Sequence, residues 1–280
     1  MSINDLIQWT PQTILERGLY AGVPDPIYRS HEAVSCSGLK HYGKTAAHGR
    51  AAELGQVQIA RPETLVLGRL CHTAVLEPHL LDVDFVVAPR IDRRTKAGKA
   101  EWAAFQEGVG SATVVSEDQH QLALAIRDAV RAHPLAAKFL DQGSAEVTQL
   151  WDFDGVPAKS RLDWLTTIDG EPLIFDLKTT QDASTKDFPK SCARFKYHTQ
   201  AAMYSDGFRT LTGERPRFVF GAVEKEPPFG VQLFEYDLAA IERGREDYLS
   251  ALHTYVEAHR EGKWRGYSEG IVQMELPAWA

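Results

Sequence analysis

The residues best suited to chemistry in this chain are two carboxylates and an amine: Asp163, then Asp176-Leu177-Lys178. A divalent cation that activates water wants hard oxygen ligands brought from more than one strand. Asp163 lies in VPAKSRLDWLTTI and Asp176 in EPLIFDLKTT, with Asp169-Gly170 between them. Asp-Gly between two such runs predicts a hairpin, so both carboxylates can converge on one ion. Strand alternation puts Asp176 and Lys178 on one face and Leu177 in the core, its carbonyl still able to reach a metal. Lys178 would then orient the attacking water or stabilise charge developing on a phosphate. The apolar run Leu173-Ile174-Phe175 in front of the pair marks a central buried strand. A surface ion pair at a strand end would also explain Asp-x-Lys, and the spacing to Asp163 argues against it.

Other positions extend the pattern. Glu146 falls on AEVTQLWDF, the strand before the hairpin. His72 lies in Gly68-Arg-Leu-Cys-His72 on an apolar helix. A glycine one turn before it lets another backbone approach, and a neutral imidazole is a good metal ligand. The bland alternative is a satisfied core histidine. Gln200-Ala-Ala-Met-Tyr204 puts two polar groups four apart on one helix face.

These positions need a sheet with helices around it. AEVTQLWDF, VPAKSRLDWLTTI and EPLIFDLKTT read as an antiparallel meander with turns at Asp154-Gly155 and Asp169-Gly170, and FVFGAVEK and GVQLFEYD as two further strands. Helices are predicted over 35–54, 64–77, 99–108, 116–132, 134–140, 193–211 and from Leu238 to about Gly262, with a short strand at 83–88. Residues 1–30 read as a short helix followed by a loop. No repeat or linker divides the chain. The expectation is one α/β domain over 1–280: a mainly helical part (1–140), a sheet core (141–236), then a C-terminal helix and tail (237–280).

Composition narrows the function. The 280 residues are 44% hydrophobic and 25% charged, which excludes global disorder. Lys and Arg number 31 against 38 Asp and Glu, a net charge of −7, which argues against coating nucleic acid by bulk charge. A local basic groove remains open, with Arg93, Arg94, Lys96, Lys99, Lys159 and Arg161 as candidates; Arg161 is two residues before Asp163, so strand alternation puts both on one face, where they are expected to pair. The cysteines Cys36, Cys71 and Cys192 are too few and scattered for a disulfide scaffold, a zinc ribbon or a four-cysteine iron–sulfur cluster. No run approaches 18 apolar residues and no signal peptide is visible, so the expectation is a cytoplasmic protein without a membrane span.

The ordered set Gly68…His72, Asp163, Asp176-Leu177-Lys178 and Gln200…Tyr204 resembles the RecB-type branch of the PD-(D/E)XK nucleases. Ser35-Cys-Ser37-Gly-Leu-Lys40, Thr45-Ala-Ala-His48, Arg93 to Lys99, and Trp264-Arg-Gly-Tyr267 with Pro277-Ala-Trp279 bring it closer to the RecE-like exonucleases, the nuclease domain of exodeoxyribonuclease VIII. Thr45-Ala-Ala-His48 departs from that group's usual Ser-Pro-Ala-His. The resemblance runs from about residue 30 to the C-terminus. It implies a restriction-endonuclease-like core with a central mixed sheet flanked by helices. It implies a Mg²⁺-dependent exonuclease, Mn²⁺ being permitted, with one or two ions per site. Such an enzyme degrades linear double-stranded DNA from the 5′ end and leaves an overhang for a RecT-like single-strand-annealing partner. A ring-shaped homo-oligomer and a phage or prophage origin in a bacterial host also follow from it. By the same resemblance His72, Asp163, Asp176 and the Leu177 carbonyl bind metal and Glu146 is a further ligand. Lys178 becomes the catalytic lysine, and Gln200 and Tyr204 contact DNA or the active-site water.

Three rivals stand beside it. Gly38-Leu-Lys-His-Tyr-Gly43-Lys44-Thr45 matches the P-loop pattern letter for letter, but its inner residues are bulky and no buried strand precedes it. A nuclease fold kept only for binding conflicts with the intact Asp163, Asp176 and Lys178. A RecB-like endonuclease on single-stranded or flap DNA would use the same metal site.

Overall fold

The computed structural model describes residues 6–57, 62–153 and 155–276. The chain runs through β1 (Ile7–Gln8), β2 (Gly18–Ala21), α1 (Asp25–Ser30), β3 (Val34–Ser35), α2 (Cys36–Tyr42), α3 (Ala46–Glu53) and α4 (Pro62–Leu76). It continues with α5 (Leu81–Asp84), β4 (Phe85–Val87), α6 (Lys96–Gly108), β5 (Thr113–Val115), α7 (Glu117–Ala132) and α8 (Pro134–Phe139). The second half holds β6 (Ser144–Phe153), β7 (Val156–Ile168), β8 (Glu171–Thr180), α9 (Phe188–Phe195), α10 (Tyr197–Thr212), β9 (Arg217–Glu224), β10 (Val231–Glu235) and α11 (Leu238–Glu261).

The expected meander is present as β6, β7 and β8, all antiparallel. Asp169 (φ 54°) and Gly170 (φ 89°) both adopt the left-handed backbone that a two-residue hairpin loop requires. In the preceding turn Asp154 lies outside the described residues. β9 adds to β8 in parallel and β10 to β9 antiparallel, so the main sheet is mixed. Its order is β1-β2-β6-β7-β8-β9-β10, with β3 paired to β7.

Helices cover both faces. On one face α2, α9, α10 and α11 pack Leu39, Phe188, Met203, Phe208 and Tyr248 against Val147, Ile174 and Phe220 of the sheet. On the other, α4, α7 and α8 pack Leu70, Ile126 and Phe139 against Leu173, Phe175 and Leu177. β8 alternates between these two cores, as a strand buried on both sides must. Close approaches are made with glycine: a Cβ on Gly221 would stand 2.3 Å from the Phe175 ring, and one on Gly244 of α11 2.2 Å from the His198 carbonyl of α10.

Three expectations are corrected. Residues 1–30 do not run from helix to loop: β1 and β2 come first, and α1 follows. Leu19 and Tyr20 are buried, and β2 joins the sheet through β6, so the N-terminal part adds strands as well as helices. The helix predicted over 35–54 is two helices. Gly43 ends α2, and the Thr45 side chain accepts from the His48 N–H at 3.3 Å to start α3. The helix predicted over 193–211 begins earlier and breaks at Lys196, which is left-handed (φ 55°, ψ 46°) between α9 and α10.

Candidate active site at the strand fork

β7 and β8 pair only from Trp164↔Phe175 to Ile168↔Glu171, the half nearest their turn. Beyond it they separate. β3 takes the free edge of β7 at Ala158 and Lys159, while β8 continues along β9 as far as Thr180↔Glu224. Asp163 and Asp176 are the first residues past the last pair, so they sit where the fork opens. On the other side of β7 the pairs Ala145↔Trp164 and Val147↔Leu162 flank Glu146, which breaks the ladder with φ 50°. The three carboxylates therefore come from corresponding positions on three adjacent strands. The fork is also a gap in the sheet, which lets α4 reach Asp163 from one side while α10 reaches Asp176 from the other.

His72 on α4, Glu146 on β6 and Asp163 on β7 each offer a ligand atom within 4.8 Å of the others. Among the described residues this is the single group of three or more His, Cys, Asp or Glu side chains that close. His72 Nδ1 is 3.6 Å from Asp163 Oδ2, and that oxygen also accepts the Leu177 N–H at 2.8 Å. Asp176 has no exposed surface. Its Oδ1 accepts from Gln200 Nε2 at 2.7 Å, and its Oδ2 contacts the Lys178 ammonium. The Lys178 Nζ also lies 4.9 Å from the Tyr197 ring.

The electrostatics are those of a site short of positive charge. Burial and then the nearby Asp163 push Glu146 up to about 8. Burial and then Asp163 push Asp176 up to about 6, and burial raises Asp163 itself. Burial and then the Lys178 charge push His72 down to about 4, so its imidazole is neutral. Burial opposes the charge of Lys178, but Asp176 and Asp163 outweigh it and hold the ammonium above its usual range. Two carboxylate oxygens and one neutral imidazole fit Mg²⁺ or Mn²⁺, and a divalent ion would relieve the crowding that raises the carboxylates.

The structure rearranges several sequence-derived roles. Glu146 stands beside His72 and Asp163, whereas Asp176 is turned to Lys178 and Gln200. Gly68 has open space where a Cβ would go, so no backbone approaches it. Tyr204 packs on Phe218 with ring centroids 6.4 Å apart, one turn beyond Gln200. Arg161 donates to the Val23 carbonyl at 2.7 Å and Asp25 at 3.2 Å, and lies 3.8 Å from Glu146 rather than pairing with Asp163. Lys159 donates to the carbonyls of Tyr28, Arg29 and His31, which fixes the end of α1. Arg93 lies over the Trp102 ring at 4.6 Å, Arg94 pairs with Asp92 at 2.9 Å, and Lys96 and Lys99 are exposed on the first turns of α6. Among the described residues no hydrogen bond or ion pair joins that loop to the carboxylates. Tyr197, beneath Lys178, was not apparent from the sequence, because an aromatic at helical spacing reads as core.

The P-loop reading fails here. Cys36–Tyr42 is a helix, and the Gly38 N–H that would cradle a phosphate is taken by the Ser35 side chain at 3.3 Å.

A family model described as "PDDEXK-like domain of unknown function (DUF3799)" matches residues 35–276. The chain belongs to this PDDEXK-like family. Its fold agrees: a crystal structure from Eubacterium rectale, provisionally named an exonuclease, aligns with a TM-score of 0.62 at 16% identity, covering 91% of this chain and 96% of that one. SSO0001 (TM-score 0.26, 17% identity, 65% of this chain and 85% of that one) carries no argument. Neither does VC1899 from Vibrio cholerae (TM-score 0.25, 13% identity, 87% of this chain and 58% of that one). No curated protein matches. The PD-(D/E)XK core and mixed sheet expected from the sequence are thus present. No described helix is long and apolar enough to cross a membrane.

Proposed function

We propose that this protein is a metal-dependent deoxyribonuclease of the RecE-like kind, degrading linear double-stranded DNA from the 5′ end. The observation that carries the reading is the convergence of His72, Glu146 and Asp163 beside the Asp176–Lys178 pair. His72, Glu146 and Asp163 would hold the ion, with Asp176 next to them. A bound Mg²⁺ or Mn²⁺ supplies positive charge to the scissile phosphate and lowers the pKa of a water.

The protein's own groups do the rest. The Leu177 N–H holds Asp163 in place, and Gln200 does the same for Asp176. Lys178 enters the reaction as an ammonium, because Asp176 and Asp163 stabilise its charge. It therefore donates to the phosphate and stabilises the growing negative charge rather than removing a proton. An overhang-binding single-strand-annealing protein and a ring of identical subunits complete the proposal, as does a cytoplasmic setting in a bacterial host.

The test incubates the purified protein with linear and with covalently closed circular duplex, without ATP. Each is run with Mg²⁺, with EDTA, and with Asp176→Ala. Loss of the linear form alone, in Mg²⁺ and with wild type alone, supports an exonuclease, and end-labelling assigns polarity. Cutting of circles would retain the site and replace end-dependence with endonuclease action. Absence of cleavage in Mg²⁺ and in Mn²⁺ overturns the nuclease reading.

A further inference from the structure

The break between α9 and α10 places Ala193, Arg194, Phe195 and Lys196 in one exposed run beside the site. Phe195 is 49% exposed. Such a ring at a surface is ordinary when isolated, but this one is held. Its carbonyl accepts from Lys40 Nζ at 2.9 Å, and its ring stacks on Tyr197 at 5.7 Å and 27°. Tyr197 stacks in turn on Phe220 at 5.8 Å and 23°, and Lys178 sits over it. A ladder of rings thus leads from solvent to the amine of the active site.

Cations flank the outer rung along the chain. The Arg194 guanidinium is 5.5 Å from the Phe195 ring, and among the described residues no carboxylate pairs with it. Lys196 is half-exposed, 3.4 Å from Asp247. Lys186 and Lys190 are exposed a little earlier in the chain, Lys190 against Asp187 at 2.5 Å. An aromatic face among cations is the composition that binds a single nucleic-acid strand: the bases stack and the phosphates pair.

We propose that Phe195, with Arg194 and Lys196, is a stacking platform for a base of the DNA strand that enters the site. This rests on the nuclease reading above and names where the strand is held. A base that slides onto the ring displaces the Arg194 guanidinium towards the neighbouring phosphate. Stacking accepts any base, so the platform adds grip without sequence preference. It also holds the strand within reach of Lys178, because Tyr197 joins the two.

The test uses the full chain carrying Asp176→Ala, in Mg²⁺, and a duplex with 2-aminopurine at its end. Wild-type protein with Ca²⁺ in place of Mg²⁺ gives a second readout that needs no active-site variant. Binding is expected to quench the 2-aminopurine. Adding Phe195→Ala should remove the quench and weaken binding about tenfold, and Phe195→Trp should restore both. In the active enzyme Phe195→Ala should raise KM about tenfold whichever base is terminal. A Phe195→Ala protein with the circular dichroism and melting temperature of wild type that keeps the quench and KM overturns the platform and leaves the nuclease reading standing. A wild type that neither binds nor cuts DNA overturns both.

Discussion

Lys178 decides what kind of catalyst this site can be. Two carboxylates beside it hold the amine above its usual range, which favours an electrostatic part in the proposed reaction. Lys178→Met should lower turnover by about 10²- to 10³-fold, with much less effect on DNA binding in Ca²⁺. A measured loss confined to binding would assign Lys178 to the phosphate backbone instead. His72 plays the other part. His72→Ala should weaken Mg²⁺ binding at least about tenfold, read by the Mg²⁺ concentration that gives half-maximal cleavage; an unchanged half-point would remove it from the metal set. Asp163, Asp176 and Lys178 were legible because a hairpin turn fixes which residues face each other. Glu146 ranked lower in the sequence because nothing there marks its left-handed backbone. Arg161 and Lys159 read as candidates for a basic groove, with Asp163 as the expected partner of Arg161, and only the fold shows the carbonyls and the Asp25 carboxylate of the α1 region that engage them.

At the scale of elements, the site depends on strands that stop pairing at the right place. β7 has three neighbours, and the handover from β8 to β3 leaves the fork. The strands themselves were readable, since period-two patterning and Asp-Gly turns are local signals. The handover was not, because β3 is two residues long and its pairing is set by distant packing. The same holds for β2, whose three pairs with β6 are non-local. The break at Gly43 to Thr45 was masked by alanine-rich flanks that favour one continuous helix. Sequence motifs away from the carboxylates also find a place: Ala47 N–H donates to the Arg265 carbonyl at 3.0 Å, and Tyr267 meets His48 edge-on at 5.4 Å. The two segments pin the C-terminal tail to α3; Pro277-Ala-Trp279 lies outside the described residues. One element-scale prediction concerns Gly221. Gly221→Ala would drive a methyl into the Phe175 ring behind Asp176, at a cost of about 1–3 kcal/mol. Urea unfolding should show it, and a midpoint equal to wild type would mean that β8 and β9 have more room than their ring contact indicates.

For the whole molecule, the crowded carboxylates make stability depend on pH and on metal. Asp176 and Glu146 both titrate above their ordinary values. The stability they permit is fully present below the usual carboxylate range and is lost as pH rises through about 6 and then about 8. His72, pushed down to about 4 from 6.5, acts in the opposite direction between those values. Above about pH 6.5 Glu146 therefore dominates this site. In EDTA the melting temperature should fall between pH 6.5 and 8, and Glu146→Gln should flatten that fall. A wild-type curve that is level there, or a Gln variant that still slopes, would refute the assignment. Added Mg²⁺ should raise melting most at the upper end, because metal and protons compete for the same oxygens.

The order in which the ribosome delivers these pieces matters too. His72 and Asp176 are roughly a hundred residues apart in the chain, and β8 gains its parallel neighbour only when β9 has been made. Gln200, which holds Asp176, is made between those two strands. A growing chain therefore carries Glu146, Asp163 and Asp176 before β9 is there to flank the lysine strand. A chain interrupted before Arg217 has every one of these side chains but no β9 beside Asp176 and Lys178.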